Sequence, residues 1–591
     1  MDIIPLGDSA LIVRVCEQIN DAPEETLNEV LRTFRQLRKT AIPGVIEFAP
    51  AYTSIAVFFD PIAIAKTKRA PEEILDCLVS RIRAAVAAGG DRGRRHKDSK
   101  GVARLVNIPV CYHPEFAPDM DDVACRAKIP REEVVDLHSA AKYRVACIGF
   151  VPGFPFLTGL PKQLATPRRD IPRKEIPPGS VGIGGAQTGI YPLRSPGGWN
   201  LIGRTPLKLF DSTKNPPTLL GPGDRVRFHA IRREEFQLAI HSPSSRAELR
   251  DPVAMASVLH RDSPASVGMT ASVTRAGFLT SVQDLGRMGF RQFGVSTSGA
   301  LDPFALRVAN LLVGNDENAA GLEVTLGGLR LRFKDERMVA WCGGEFDVQM
   351  GSRSFPAGHV AHLRSGDELK FGRAKIGCRC WLAISGGVDV PVVLDSRSTD
   401  LRANFGGILG RALRDGDEVP LGEFRRSQTA ATEGISPWTA SHDWASPAKR
   451  NPLLRFVRGT DWFRFHDATI QPFINDEFRV SPDSDRMGVR LDGPELKRED
   501  SIDLISEAVA PGTIQVPPSG KPILLLGDCQ TIGGYPKIAN VITVDLGIAA
   551  QLRAGDRARF SEISLPDAHR FLLERERDLE RFRVGLSLHT S

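Results

Sequence analysis

The chain has 591 residues, 42% of them hydrophobic and 25% charged, with a formal net charge of +6. At roughly 100–200 residues per domain, this length predicts about three to five domains with separate cores. The small positive charge, without clustered Lys/Arg among aromatics, argues against a nucleic-acid binder. The absence of a run of about 18 apolar residues argues against a membrane-spanning helix. The opening MDIIPLGDSALIVRV lacks the n- and h-regions of a secretory signal, so a cytoplasmic protein is expected.

Residues 1–88 read as a small α/β unit. Strands are expected at 9–15 and 52–59. Helices are expected at 23–39, through Leu27, Val30, Leu31, Phe34 and Leu37, and at 71–88, through Ile74, Leu75, Leu78, Ile82 and Val86. The basic, Gly-flanked RGRRHKDSK (92–100) reads as part of a solvated joint, 89–100. From 102 to about 242 the texture is β-rich, with short strands, many Gly and Pro, and one helix at 130–141. A second joint covers 243–266, with a short helix at 251–259. The region 271–560 is again β-rich, with one helix at 303–313; there Asp302 is an N-cap and Pro303 the first helical residue. The Ser/Thr/Ala/Pro-rich stretch 428–451 reads as an exposed loop, and 566–583 as a charged helix.

An internal repeat organises the β-rich part. LGPGDRVRF (220–228) recurs as LRSGDELKF (363–371) and LRAGDRARF (552–560), each a Gly-Asp turn followed by strand-like alternation. PGSVGIGGAQTGIYP (178–192) resembles PGTIQVPPSGKPILLLGDCQTIGGYP (511–536) in its Gln-Thr, Gly and Tyr-Pro elements. Three related β-barrel units follow, near 102–240, 271–372 and 373–560.

CIGFVPGFPFLTGLP (147–161) is too rich in Gly and Pro for a helix or central strand. Its phenylalanines, Phe154 and Phe156 among them, either wall a small-molecule pocket or plug a barrel end. The segment 166–206 places Arg168, Arg169, Arg173, Lys174, Arg194 and Arg204 among glycines, which suits phosphate or carboxylate recognition. It contains neither a Walker A loop nor a dinucleotide fingerprint. Nine cysteines occur without a C-x-x-C pair. Cys378 and Cys380 fall on one face of a strand and lack a second Cys/His pair, so free thiols are expected and the metal content stays unknown.

GFVPGFPFLTGLP, PGSVGIGGAQTGIYP and SPGGWNLIGRTP resemble the B subunit of prokaryotic 5-oxoprolinase. AGFLTSVQDLGRMGFRQFGVSTSGALDPFALRVANLLVGN (276–315), LEVTLGG (322–328), SRSTD (396–400), SDRMGVRLDG (484–493) and GDCQTIGGYPKIA (527–539) resemble its C subunit. The resemblance covers nearly the whole chain apart from the joints and the C-terminal helix. It implies a mainly β fold: an α/β N-terminal unit followed by three cyclophilin-like β-barrel domains in tandem. The expected divisions are 1–88, 102–242, 271–372, 373–565 and a terminal helix and tail, 566–591.

The resemblance also implies ATP-dependent opening of 5-oxo-L-proline to L-glutamate. ATP and Mg²⁺ would be the cofactors and a separate A subunit the partner. Homo-oligomerisation stays open. The same domains occur in the carboxyltransferase region of urea carboxylase (urea amidolyase, allophanate systems), which would instead require biotin on a separate carrier. A third implication, from B-subunit relatives, is inhibition of a histidine kinase.

Within the matched motifs the candidate catalytic groups are Asp284, Arg287, Glu323 and Asp528, with cap or turn roles as the simpler alternative for each carboxylate. Candidate substrate-binding residues are Phe154, Phe156, Arg168, Gln187, Thr188, Tyr191, Arg204, Gln283, Arg486, Gln530, Thr531 and Tyr535. Gln187 and Gln530 occupy equivalent repeat positions and either read an amide or ureido group or brace their own loops.

Overall fold

The structure, a computed structural model, describes residues 1–16, 23–67, 70–93, 103–241, 269–424, 434–499 and 504–590. Most of the basic stretch 92–100 and the joint 243–266, with its expected helix at 251–259, lie outside these residues.

The N-terminal unit is a four-stranded antiparallel sheet in the order Asp2–Pro5, Ala10–Arg14, Ser54–Phe59, Val45–Pro50. Helices Pro23–Lys39 and Ile74–Gly93 cover one face. Their apolar stripe (Val30, Phe34, Leu37, Leu78, Ile82) meets Leu11, Val13, Ile55 and Val57 of the sheet. The second helix thus runs on past residue 89, where a joint was expected. Val45–Pro50 escaped the sequence reading because its alternation is inverted: Ile46 is exposed, whereas Glu47 is buried to meet Arg291 of another unit.

The next unit is a seven-stranded sheet in the order Asn200–Arg204, Ser180–Gly184, Gln187–Ile190, Pro155–Thr158, Tyr143–Ile148, Arg225–Ala230, Leu105–Val110. Its last pair is parallel, Arg225 opposite Leu105. The third unit is a closed barrel joined in the same way. Leu453–Arg458 pairs with Lys537–Val541 on one side and in parallel with Arg557–Glu562 on the other. Phe456, Phe473, Phe478 and Phe560 fill its core.

Between them lies a ten-stranded sheet that extends from Thr270 to Thr439. The expected division at 372/373 falls inside the strand Glu368–Ile384, which pairs with Arg337–Met350 along most of its length. Gly372 sits where the strands approach closely: a Cβ there would lie 2.7 Å from the Asp347 carbonyl oxygen. A glycine that reads as a break therefore marks a tight crossing within one long strand. The stretch expected to be an exposed loop, 428–451, contains instead the sheet strand Ile435–Thr439 and the helical turn His442–Ala445; 425–433 lie outside the described residues.

The Gly-Asp repeat is a single piece of geometry, and each of the three copies read from the sequence adopts it. Gly223, Gly366 and Gly555 have φ of 90°, 92° and 90°. Asp224, Asp367 and Asp556 each accept from the backbone N–H three residues earlier, at 2.9, 2.7 and 3.1 Å. A fourth copy in LRDGDEVP has Gly416 at φ 88° and Asp417 accepting from Arg414 N at 2.8 Å. It went unread because its strand, Glu418–Pro420, is only three residues long.

The chain's first and last elements pack together. Helix Leu565–Thr590 places Leu573 in the N-terminal core, and His569 Nε2 hydrogen-bonds the Asp8 carbonyl oxygen at 2.9 Å. The Asp8 carboxylate accepts from Thr543 N and Oγ1 at 2.8 and 2.6 Å. Arg14 donates to both oxygens of Glu507, at 3.0 and 3.2 Å.

Candidate functional site

The strongest convergence of charge, strained backbone and aromatic rings lies where loops of all three β units meet. From the first unit comes the turn between strands Tyr143–Ile148 and Pro155–Thr158. Gly149 is required there, because a Cβ would lie 2.7 Å from Ile532 Cδ1 of the last barrel. Gly153 N donates to Phe293 O at 2.9 Å and Arg402 Nη1 to Phe150 O at 3.2 Å, tying the turn to the middle unit. The segment 147–161 is thus an interface between units. Phe154 packs at 4.9 to 5.6 Å against Phe156, Tyr191, Trp199 and Phe150. Phe154, Phe156 and Tyr191 are buried in that cluster, so they form a core and do not line an open pocket.

Seven of the nine non-glycine residues with left-handed backbone among the described residues lie on the turn or on the middle-unit loops: Phe150, Ser298, Leu394, Asp395, Asn404 and Leu409, and Leu326 on the turn after the strand Gly321–Thr325. Each costs about 1–3 kcal/mol, and such strain concentrates at functional sites.

At the centre of the convergence is a buried ion cluster. Arg486 donates to Asp528 through Nε (2.8 Å) and Nη2 (3.2 Å), to Glu323 through Nη1, and to the Gly299 carbonyl at 2.8 Å. Glu323 also accepts from Trp381 Nε1 at 3.0 Å and Leu301 N at 3.3 Å, with Arg379 Nε at 3.8 Å. Burial works against the Arg486 charge, but the two carboxylates outweigh it and raise its pKa. Burial raises the Asp528 pKa above the usual 3.8, with Asp400 and Glu323 adding to the rise and Arg486 opposing it. Burial thus favours the protonated form of Asp528 more than in a solvated aspartate.

Beside this cluster, Arg402 stacks on Phe150 at 5.0 Å and lies within electrostatic reach of Asp400, Asp528 and Cys529. It makes no ion pair among the described residues, and burial lowers its pKa. Asp400 accepts from Ser296 Oγ at 3.1 Å and from Arg402 N and Ala403 N at 3.1 and 2.9 Å. Arg402 and Asp400 were missed as site residues. The signal was the Asn/Gly-rich run that follows SRSTD, which permits the tight turns that carry them.

Several expected site residues brace these loops. The Asp284 carboxylate accepts four hydrogen bonds, from Ser396 Oγ, Ser398 Oγ, Gly286 N and Arg397 N at 2.5 to 2.8 Å. Three of these bonds fall on Oδ1 and one on Oδ2, which ties the turn at 284–286 to the segment 396–398. Arg287 is 1% exposed; it holds the Ser398 and Val393 carbonyls and stacks on Phe405 at 4.6 Å. Gln283, wholly buried, donates to Ser281 Oγ and Thr399 O at 3.0 and 3.2 Å.

Thr188 lies inside its barrel, donating to Gly182 O at 3.0 Å and meeting His138 Nε2 at 3.2 Å. Burial lowers the His138 pKa to about 3, so this pair is a neutral core element. The expected arginine cluster is dispersed. Arg169 and Arg173 clamp buried Asp119, Arg194 pairs with Glu175, and Arg204 donates to Pro178 O and lies against Phe116 and Phe236. Arg168 remains exposed, and Gln187 lies half-buried against Tyr52. Gln530 donates to Gln515 Oε1 at 3.3 Å, Thr531 is buried, and Tyr535 is 43% exposed, unlike its counterpart Tyr191. All nine cysteines are free, and the described residues contain no group of three or more His/Cys/Asp/Glu able to hold a metal.

This β-rich fold, with charge gathered at the meeting of its units, is that of a carboxyltransferase-domain protein. Subdomains A and B of the carboxyltransferase domain match residues 293–562, and subdomains C and D match residues 1–220. The chain belongs to the family of the B and C subunits of 5-oxoprolinase and joins the counterparts of both in one polypeptide. It is 39% identical to the 5-oxoprolinase C subunit of Escherichia coli over 309 residues, 52% of this chain and 96% of the relative. It is 43% identical to the 5-oxoprolinase B subunit of Bacillus subtilis over 235 residues, 39% of this chain and 93% of the relative. The crystal structure of TTHA0988 is similar end to end, with 30% identity and a TM-score of 0.74, covering 93% of this chain and 99% of that one. Urea amidolyase of Lachancea kluyveri is 30% identical over 335 residues, 53% of this chain but only 18% of the relative.

Proposed function

We propose that this chain is the fused B and C part of a cytoplasmic, ATP-dependent 5-oxoprolinase that opens 5-oxo-L-proline to L-glutamate together with a separate A subunit. The N-terminal unit and three barrels, divided near residues 102, 270 and 453, act as one scaffold for the junction. The observation that carries the reading is the Asp528–Arg486–Glu323 cluster beside Arg402. A carboxyl with a raised pKa lies near a guanidinium free to bind an anion, the pairing needed for a lactam that also carries a carboxylate.

Phosphorylating the lactam oxygen would break amide resonance and create a leaving group, which is the part ATP would supply. Mg²⁺ would arrive on the nucleotide phosphates, given the donor set described above. In this reading Arg402 binds the substrate carboxylate, Asp528 takes up or returns the proton at the ring nitrogen, and Arg486 and Glu323 hold Asp528 in place.

The kinship with urea amidolyase supports a second reading, carboxyl transfer from biotin on a separate carrier. The test is ADP release by the chain mixed with its A subunit, with 5-oxoproline or urea as substrate. Release that depends on 5-oxoproline is the expected result. No such release, together with biotin-dependent carboxylation of urea, would replace the first reading with the second.

A further inference from the structure

The middle sheet also carries a cavity whose lining includes none of the ion-cluster residues. It measures about 760 Å³ and opens on the sheet's outer face, between the turns at 277–278 and 326–328 and the strands at 347–349 and 370–374. That volume is within the range of about 300–1,000 Å³ typical of small-molecule sites. Leu326 of the cavity lies three residues beyond Glu323 of the ion cluster along the strand Gly321–Thr325, which sets the cavity's near edge roughly 10 Å from that cluster at about 3.3 Å per residue.

Four cations surround the cavity. Arg275, Arg330 and Arg373 are exposed, and none of them has an ion-pair partner among the described residues. Lys370 meets Glu368 at 3.1 Å, and Asp347 is the other acid at the rim. Arg330 stands directly opposite Lys370 across neighbouring strands. Like charges in that position destabilise a sheet, and a bound polyanion reverses the sign of the interaction.

The floor is bare backbone. A Cβ on Gly277 would lie 2.6 Å from Gly327 O, and one on Gly327 would lie 1.8 Å from Gly372 O, so no side chain can cover it. The rim presents Phe278, 73% exposed, with a ring face available for stacking.

We propose that this cavity binds a small molecule bearing several phosphate groups and a planar ring, of the nucleoside polyphosphate class. The phosphates lie across Arg275, Arg330, Arg373 and Lys370, and the ring stacks on Phe278. The bowl is compact, built from neighbouring strands and turns, and it fits a small polyanion better than an extended acidic peptide. The inference goes beyond the reaction assigned to the junction and holds whether or not that reaction consumes ATP.

The test is calorimetric titration of the full chain with ATP and, separately, with inorganic triphosphate. Both are expected to bind, more weakly as salt rises. Replacing Arg330 and Arg373 together with Ala is expected to weaken both ligands at least tenfold with unchanged thermal unfolding. Phe278→Ala is expected to weaken ATP severalfold and leave triphosphate unchanged. Absence of binding by both compounds, or binding indifferent to the double arginine variant, overturns the site. Binding of a polyglutamate peptide while neither phosphate compound binds also overturns it. ATP affinity indifferent to Phe278→Ala overturns the assignment to nucleosides.

Discussion

Two buried ion clusters tie units of this molecule together, and they move the pKa values of their acids in opposite directions. In one, Lys537 lies between Asp461 (3.2 Å) and Glu507 (3.3 Å), and Arg14 of the N-terminal unit pairs with Glu507. Burial opposes ionisation of both acids, but Lys537 and Arg14 outweigh it and hold their pKa values below the usual range. In the other, Glu323 and Asp528 share one guanidinium in direct contact, Arg379 stands off at 3.8 Å, and Asp400 adds a further negative charge. There the Asp528 pKa rises. The first cluster lowers the pKa values of its acids, whereas the second leaves that of Asp528 raised.

The sharpest way to break this contrast is to unbalance the first cluster. Lys537→Met strands two buried carboxylates and should cost roughly 3–5 kcal/mol in denaturant unfolding. A loss below about 1 kcal/mol would show that the cluster is not structural. At the junction, Asp528→Asn keeps the shape and removes the proton site. Turnover with the A subunit should fall by about 10²-fold, a typical general-acid contribution, while stability near pH 7 holds or rises.

The pH dependence should have opposite signs. Asp461 and Glu507, with depressed values, contribute stability that is present above their usual 3.8 and 4.5 and is lost as pH falls through the folded values. Asp528, with a raised value, contributes stability that is present below 3.8 and is lost as pH rises through its folded value. Unfolding free energies measured from pH 4 to 8 should therefore show the Asp528→Asn variant gaining on the parent as pH rises; a constant difference would refute the raised pKa.

Arg402→Lys keeps the charge but loses the planar fork, so KM for 5-oxoproline should rise about tenfold with little change in kcat. An unchanged KM would remove Arg402 from the substrate. The smallest effect is expected at the Gly-Asp turns. Ala at Asp367 should cost about 1 kcal/mol, the loss of one side-chain-to-backbone bond, and Ala at Asp224 or Asp556 somewhat more, because these also pair with Arg104 and Arg553.

The fold was legible where one force dominates. The 23–39 helix and the repeated Gly-Asp turns follow from spacing and glycine alone. Val45–Pro50 and the long strand through Gly372 were not legible, because partners distant in sequence set their patterns: Arg291 draws Glu47 inward, and Asp347 crowds Gly372. The site shows the same split. Glu323, Arg486 and Asp528 converge from three separate motifs, which motif membership alone could suggest. Asp284, Arg287 and Gln283 lie in equally distinctive motifs, yet their hydrogen bonds turn inward to brace the loops. Arg402 went unread because its significance depends on Phe150, 252 residues away.

The packing of the last helix against the first sheet bears on how firmly the halves must adhere. The relatives of each half are separate chains, and for them association costs translational and rotational freedom. Here each half meets the other at an effective concentration on the order of millimolar, set by covalent continuity. The surfaces between the halves need not supply that affinity, so polar groups such as the Asp8–Thr543 contact and the strained Phe150 turn can be spent on alignment.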